Sequence, residues 1–164
     1  MDQSKELEAR KCLAVIRVRG VSDVFSKIRE TMELLHLHRN CHATIVDDRP
    51  AYVGMLRKAQ HFLTWGEVSK ENIALLLKER GRLIGNKEVT DEYAKELGYK
   101  SVDKLAEAIH EGEVEFGKLS RIKPVFRLHP PSQGFKGKVK KSYAAGGVTG
   151  YRGGDINDLI RRMA

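Results

Sequence analysis

LAVIRVRG, residues 13–20, alternates in character: Ala14, Ile16 and Val18 fall on one side, Arg17 and Arg19 on the other. A period of two with one apolar side is the pattern of a strand that covers a core on one face and meets solvent on the other. Working outward, Ser22 or Asp23 stands where it can cap a helix in which Val24, Phe25, Ile28, Met32 and Leu35 recur at helical spacing. CHATIVDD (41–48) reads as a second strand, and its Asp47 and Asp48 are placed to cap a second helix. Pro50 suits the first turn of that helix, which runs to about Leu63. HFLTWG (61–66) ends it and supplies a third strand. Strand–helix–strand–helix–strand predicts an α/β fold with one sheet.

The remainder of the chain differs in composition. Residues 67–116 hold twelve acids and eight bases, and their helix punctuation is clear. Ser69 and Gly81, Thr90 and Gly98, Ser101 and Gly112 bracket three short helical runs, polar cap in front and glycine behind. RIKPVFRLHPP (121–131) reads as one added strand stopped by two prolines. Residues 134–154 contain seven glycines, four lysines and one arginine, which predicts a loop or extended arm with no fixed shape of its own. In the closing DINDLIRRM, Ile156, Leu159, Ile160 and Met163 form an apolar helical stripe, with acids at its start and arginines at its end. The chain therefore divides into a core (12–66), an acidic helical insert (67–116), and an added strand, basic arm and terminal helix (117–164).

With 164 residues, 41% hydrophobic and 32% charged, the composition suits a single modest core rather than disorder. The longest apolar runs, such as Ile73–Leu77, are five residues, against the ~20 a membrane span needs. MDQSKELEARK at the N-terminus is charged and does not read as a secretory signal. Cys12 and Cys41 lack metal-type spacing and make no disulfide framework. These features predict a soluble, cytoplasmic protein. The net charge of +8 is also localised: residues 1–120 are balanced, while 121–164 carry ten basic residues against Asp155 and Asp158. No acid occurs between Glu115 and Asp155, an asymmetry that points to a polyanionic partner.

The second helix sharpens that expectation. Met55, Leu56, Ala59, Phe62 and Leu63 share one side, and Gly54, Arg57, Lys58 and His61 the opposite one. A mid-helix glycine costs ~1 kcal/mol relative to alanine, and close approach of another backbone is one reason to keep it. In the arm, Phe135, Tyr143 and Tyr151 are interleaved with Lys136, Lys138, Lys140, Lys141 and Arg152. Lysines neutralise phosphates and rings stack on unpaired bases, so RNA contact is predicted here. Arg17 and Arg19 on the first strand, with Arg127 and His129 on the added one, complete the candidate RNA-binding set. An acidic membrane surface fits less well, because the arm lacks an amphipathic helical pattern. His36, His38, Cys41 and His42 match no standard zinc set, and no catalytic triad, phosphate loop or HExxH occurs. No metal, cofactor or small-molecule substrate is predicted. An enzymatic reading comes from VRGV before the first helix, which resembles the acylphosphatase turn. Ser26 stands where that family places its phosphate-cradling arginine, so the pattern fails at the residue carrying the chemistry.

A second resemblance covers nearly the whole chain. LAVIRVRG, LLHLHRNCHATIVDD and AYVGMLRKAQHFLTWGE, then KPVFRLHPPSQGF and GGVTGYRGGDINDLIRRM, are similar in order and content to the universal large-subunit ribosomal protein numbered thirty in bacteria and seven in eukaryotes, in its long archaeal and eukaryotic form. Gly54, Met55 and Lys58 match the family's G-M-x-x-K element. The resemblance implies a ferredoxin-like fold and a structural role in the large ribosomal subunit. It also implies contacts with large-subunit rRNA, with 5S rRNA in archaea, and with neighbouring ribosomal proteins. A free-standing RNA-binding or regulatory protein on the same fold is the alternative.

Overall fold

In the computed structural model, which describes residues 10–20 and 22–164, Cys12–Arg17 forms β1, the middle of the sheet. Residues 1–9, the front of the stretch read against a secretory signal, and Val21 of the VRGV turn lie outside the described residues. β2 (His42–Asp47) and β3 (Leu63–Glu67) flank β1, both antiparallel to it, with Ala14 opposite Ile45 on one side and Gly66 on the other. Two short strands extend the edges: β4 (Phe126–Arg127) pairs antiparallel with β2, and β5 (Gly150–Tyr151) pairs parallel with β3. The order among the described residues is β4–β2–β1–β3–β5. The fold is α/β and ferredoxin-like, helices alternating with the strands of one sheet.

The sheet is covered on both faces, not one. α1 (Ser26–Leu34) and α2 (Pro50–Lys58) bring Met32 and Leu56 onto Leu13, Val15, Leu63 and Trp65. On the other face, Ala14, Ile16, Ala43 and Ile45 share a cluster with α3 (Lys70–Glu79), α4 (Asp91–Glu96), α5 (Val102–His110) and α6 (Ile156–Met163). The charged segment 67–116 hides its apolar side, Ile73, Leu77, Leu105 and Ile109, against that sheet face. Each such fully buried aliphatic side chain contributes roughly 1.5–3 kcal/mol. β1 is therefore buried along its whole length, and the alternation of Arg17 with apolar residues does not put Arg17 in solvent.

Several predicted caps are replaced. α1 starts at Ser26 with Phe25 at its N-cap and no side-chain cap, while Asp23 sits at φ +55° in the preceding turn. Phe25, expected on the apolar stripe, is 80% exposed because it lies outside the helix that defines the stripe. α2 ends at Lys58 rather than near Leu63, and a turn carries the chain directly into β3. Neither Asp47 nor Asp48 caps α2. Asp47 accepts from the backbone N–H and guanidinium of Arg49, and Asp48 accepts from the Lys11 N–H. Ser69 and Ser101 do cap α3 and α5, accepting from the N–H of Asn72 and Lys104, whereas Thr90 makes no such bond.

The arm holds a definite shape. Tyr143 N–H donates to Thr149 O at 2.7 Å, Val148 N–H to Lys141 O at 2.9 Å and Gly147 N–H to Ser142 O at 2.7 Å. Val148 is fully buried, and a Cβ on Gly147 would overlap the Lys141 carbonyl. Here glycine allows one backbone to lie against another, which is packing and not slackness. No helix among the described residues is long and apolar enough to cross a membrane.

Candidate nucleic-acid interface

α2 begins with Pro50 at its first position, where a missing N–H costs nothing, and buries Leu56 and the adjoining Ala59. This leaves Gly54, Arg57, Lys58 and His61 exposed. Among the described residues, a Cβ placed on Gly54 would meet nothing within 4 Å. Their packing does not require a glycine there, although the helix gives up ~1 kcal/mol to carry one. Arg19 joins the same region: its Nη1 donates to His61 O at 3.3 Å, and its guanidinium lies 4.8 Å from the centroid of the Phe62 ring. The end of β1 and the turn after α2 thus form one cationic patch. Arg49, near the start of α2, is different, because Asp47 and Glu115 both pair with it. Burial pushes the Asp47 carboxyl up, but the hydrogen bonds and charge from Arg49, aided by Arg10, outweigh this and hold it below the usual carboxylate value.

Arg17 does not reach that surface. It is 2% exposed, with Nε donating to Arg19 O at 2.9 Å and Nη1 to Leu37 O at 2.8 Å. It braces the end of β1 against the loop after α1. Burial, with the nearby Arg29 charge adding to it, lowers its pKa from the ordinary arginine value.

The arm's candidates separate into two groups. Lys136, Lys138, Lys140 and Lys141 are exposed or nearly so, whereas the aromatic residues and Arg152 are largely committed internally. Phe135 is half-buried against the main apolar cluster. The Tyr143 hydroxyl donates to Asp155, and the Arg152 guanidinium lies 4.8 Å from the centroid of the Tyr143 ring. Tyr151, half exposed, donates to Glu67 Oε1 at 2.6 Å. Arg152 is buried, its Nε donating to Thr64 Oγ1 and its Nη2 to Val148 O, both at 2.7 Å. Burial lowers its pKa as well, partly offset by Tyr143 and Asp155. The ring nitrogens of His129 face Pro130 O and Ala164 O, tying the added strand to the end of α6. Arg127 is exposed on β4 and donates to Asn86.

Sequence reasoning missed His38, Arg39 and His42 as a basic cluster. The two histidines, whose spacing matches no standard zinc set, stand in a cationic neighbourhood. Burial lowers the His42 pKa, and the charges of His38, Arg39, Arg127 and Arg17 lower it further. The signal was present in LHLHRNCH, a run of bases without an acid. Among the described residues, no three His, Cys, Asp or Glu side chains converge to hold a metal ion.

Comparison with known proteins accords with this geometry. The family described as Ribosomal protein L30p/L7e matches residues 13–63, from β1 to the first residue of β3. Large ribosomal subunit protein uL30 of Thermofilum pendens is 48% identical over 150 residues, covering 91% of this chain and 96% of the relative. The uL30 protein of Methanobrevibacter smithii is 47% identical over 150 residues, covering 91% and 97%. That of Archaeoglobus fulgidus is 45% identical over 151 residues, covering 92% and 98%.

Proposed function

Because the chain belongs to the L30p/L7e family of large-subunit ribosomal proteins, we propose that it serves there by binding large-subunit rRNA through the exposed side of α2 and the lysines of the arm. The family is structural and non-enzymatic, so the acylphosphatase-like turn has no catalytic meaning. The observation that carries the RNA reading is Gly54, an exposed helical glycine facing open space beside Arg57 and Lys58. A phosphate chain needs both features, room for its backbone and cations to neutralise it. The arm supplies four lysines in a stretch without acids, held in a fixed shape before binding. Contact with 5S rRNA extends the same reading and rests on the family resemblance. The outward sides of α3, α4 and α5 carry acids such as Glu71, Glu92, Glu96 and Asp103, and suit solvent or a neighbouring protein better than RNA.

Sucrose-gradient sedimentation of cell extract, with this chain detected across the gradient, tests the reading. Co-migration with large subunits that survives a high-salt wash is the expected result. Release into the soluble fractions would favour the free-standing RNA-binding alternative.

A further inference from the structure

Three basic side chains, two arginines and a histidine, line up across the sheet at one end of β1. His42 on β2 is the register partner of Arg127 on β4, and the β1–β2 register, with Ile16 opposite Ala43, sets Arg17 opposite His42. Residues directly opposite in a sheet present side chains to the same face, and like charges there destabilise the pairing. The loop between α1 and β2 adds His38 and Arg39, both exposed, and α1 adds Arg29 near Arg17. Two polar atoms in the row, Arg17 Nη2 and His42 Nδ1, are buried without a hydrogen-bond partner among the described residues. Elsewhere in the molecule, Arg49 has Asp47 and Glu115 beside it, and Arg152 has Thr64 and Val148. Arg17 is nine-tenths and more buried, with one guanidinium nitrogen still unpaired. A buried charge left this way is unfavourable unless an opposite charge arrives.

We propose that this row is a phosphate site, in which His42, Arg39 and Arg127 hold one phosphodiester group of an RNA backbone and Arg17 backs it from beneath. The proposal rests on the RNA-binding reading and adds a contact point to it. Strands spaced about 4.8 Å apart put the β4 side of the row roughly 14 Å from β3, where the Arg19–His61 patch begins. The two sites are separate stations along one cationic end of the sheet. Burial lowers the His42 pKa, and His38, Arg39, Arg127 and Arg17 lower it further, so the ring is neutral near pH 7. An anion placed among those groups offsets their positive field and favours a proton on the ring. Binding at this site therefore tightens as pH falls.

The test uses the full chain. The imidazole resonances of His42 are followed by NMR during titration with inorganic phosphate. In parallel, salt-titrated binding to fragments tiling the large-subunit rRNA is measured for wild type, Arg39→Gln, Arg127→Gln and His42→Gln. Arg39 and Arg127 are exposed, so their variants keep the fold, which thermal melts verify. The expected result is a His42 ring pKa raised by phosphate. Each arginine variant should lose about one unit of slope in log affinity against log salt. The wild type should bind more tightly at pH 6 than at pH 7.5, and His42→Gln should lose most of that gain. If wild type binds rRNA and all three variants match its affinity and slope, the site is overturned and the RNA reading stands. If phosphate moves His42 while the RNA slopes are unchanged, the row takes small anions only and the RNA assignment falls. If wild type binds no fragment, the RNA reading and this inference fall together.

Discussion

Arg152 Nε donates to Thr64 Oγ1 across 2.7 Å, joining the glycine-rich arm to a strand 88 residues earlier in the chain. The same guanidinium donates to Val148 O and covers the Tyr143 ring, so one side chain holds both β3 and the fold of the arm. Two charge-assisted hydrogen bonds of this kind contribute roughly 1.5–3 kcal/mol each. Arg152→Ala should lower the free energy of unfolding by about 3 kcal/mol, measured by urea denaturation. A loss of RNA affinity with unchanged stability would instead make Arg152 a direct contact.

The arm's internal hydrogen bonds predict slow exchange. Amide protons of Tyr143, Val148 and Thr149, which donate to Thr149 O, Lys141 O and Lys141 O respectively, should be protected in the free protein. Hydrogen-exchange mass spectrometry over residues 134–154 checks this, and complete exchange within seconds would return the arm to the shapeless segment its glycines suggest.

Gly54 separates stability from binding. Gly54→Ala should raise stability by up to ~1 kcal/mol, because alanine is the better helix residue and its Cβ meets open space. Gly54→Leu should also keep the fold and weaken rRNA binding by filling the space beside Arg57 and Lys58. Thermal melts set beside binding isotherms decide the matter.

Exposed cations should read out through salt. The double change Arg57→Ala with Lys58→Ala is expected to lower the salt slope of rRNA binding by up to ~2 units without moving the melting temperature, since both side chains are exposed. Filter-binding titrations over a range of salt concentrations give the slope.

Burial, reinforced by the Asp47 carboxylate, pushes the Cys12 thiol from the ordinary 9.0 up to about 12. Above pH 9 the unfolded chain gives up this proton while the folded chain keeps it. The thiol's contribution to stability is therefore full below pH 9 and is lost as pH rises toward 12, at about 1.4 kcal/mol per unit. Cys12→Ala should flatten that part of the pH–stability curve, followed by denaturant midpoints.

The alternation of strands and helices was legible because Ala14, Ile16 and Val18 repeat with period two and the α2 stripe with period 3.6. What the pattern hid was a second cover on the sheet. Leu13 and Val15, which share the face of Arg17, are core, and Arg17, read as solvent-facing, is sealed under the loop after α1. The apolar stripes of α3 and α5 were visible as helices, but their docking on the sheet depends on long-range geometry that no local window contains. The arm was misread for the same reason. Its order comes from Thr64 and Trp65, register partners of Gly150 and Tyr151, and from bonds between residues 141 and 149. The exposed half of the candidate site, Arg57, Lys58 and the arm lysines, was readable from charge and spacing alone. His42 was not, because its significance lies in facing Arg127 across strands.

The outer edge of β3 stays open until a segment more than eighty residues later arrives to close it. Gly150 and Tyr151 pair with it, and the hollow over Gly66, where a Cβ would overlap the Gly153 carbonyl, is shaped for that segment alone. A polypeptide whose synthesis stops before Gly150 would display Thr64 and Trp65 on a bare strand edge, the feature that invites wrong pairing and capture by other chains. The sheet is thus finished only once the growing chain has passed Gly153. Until then an unfinished copy differs from a finished one in shape as well as in length, with the edge of β3 unpaired.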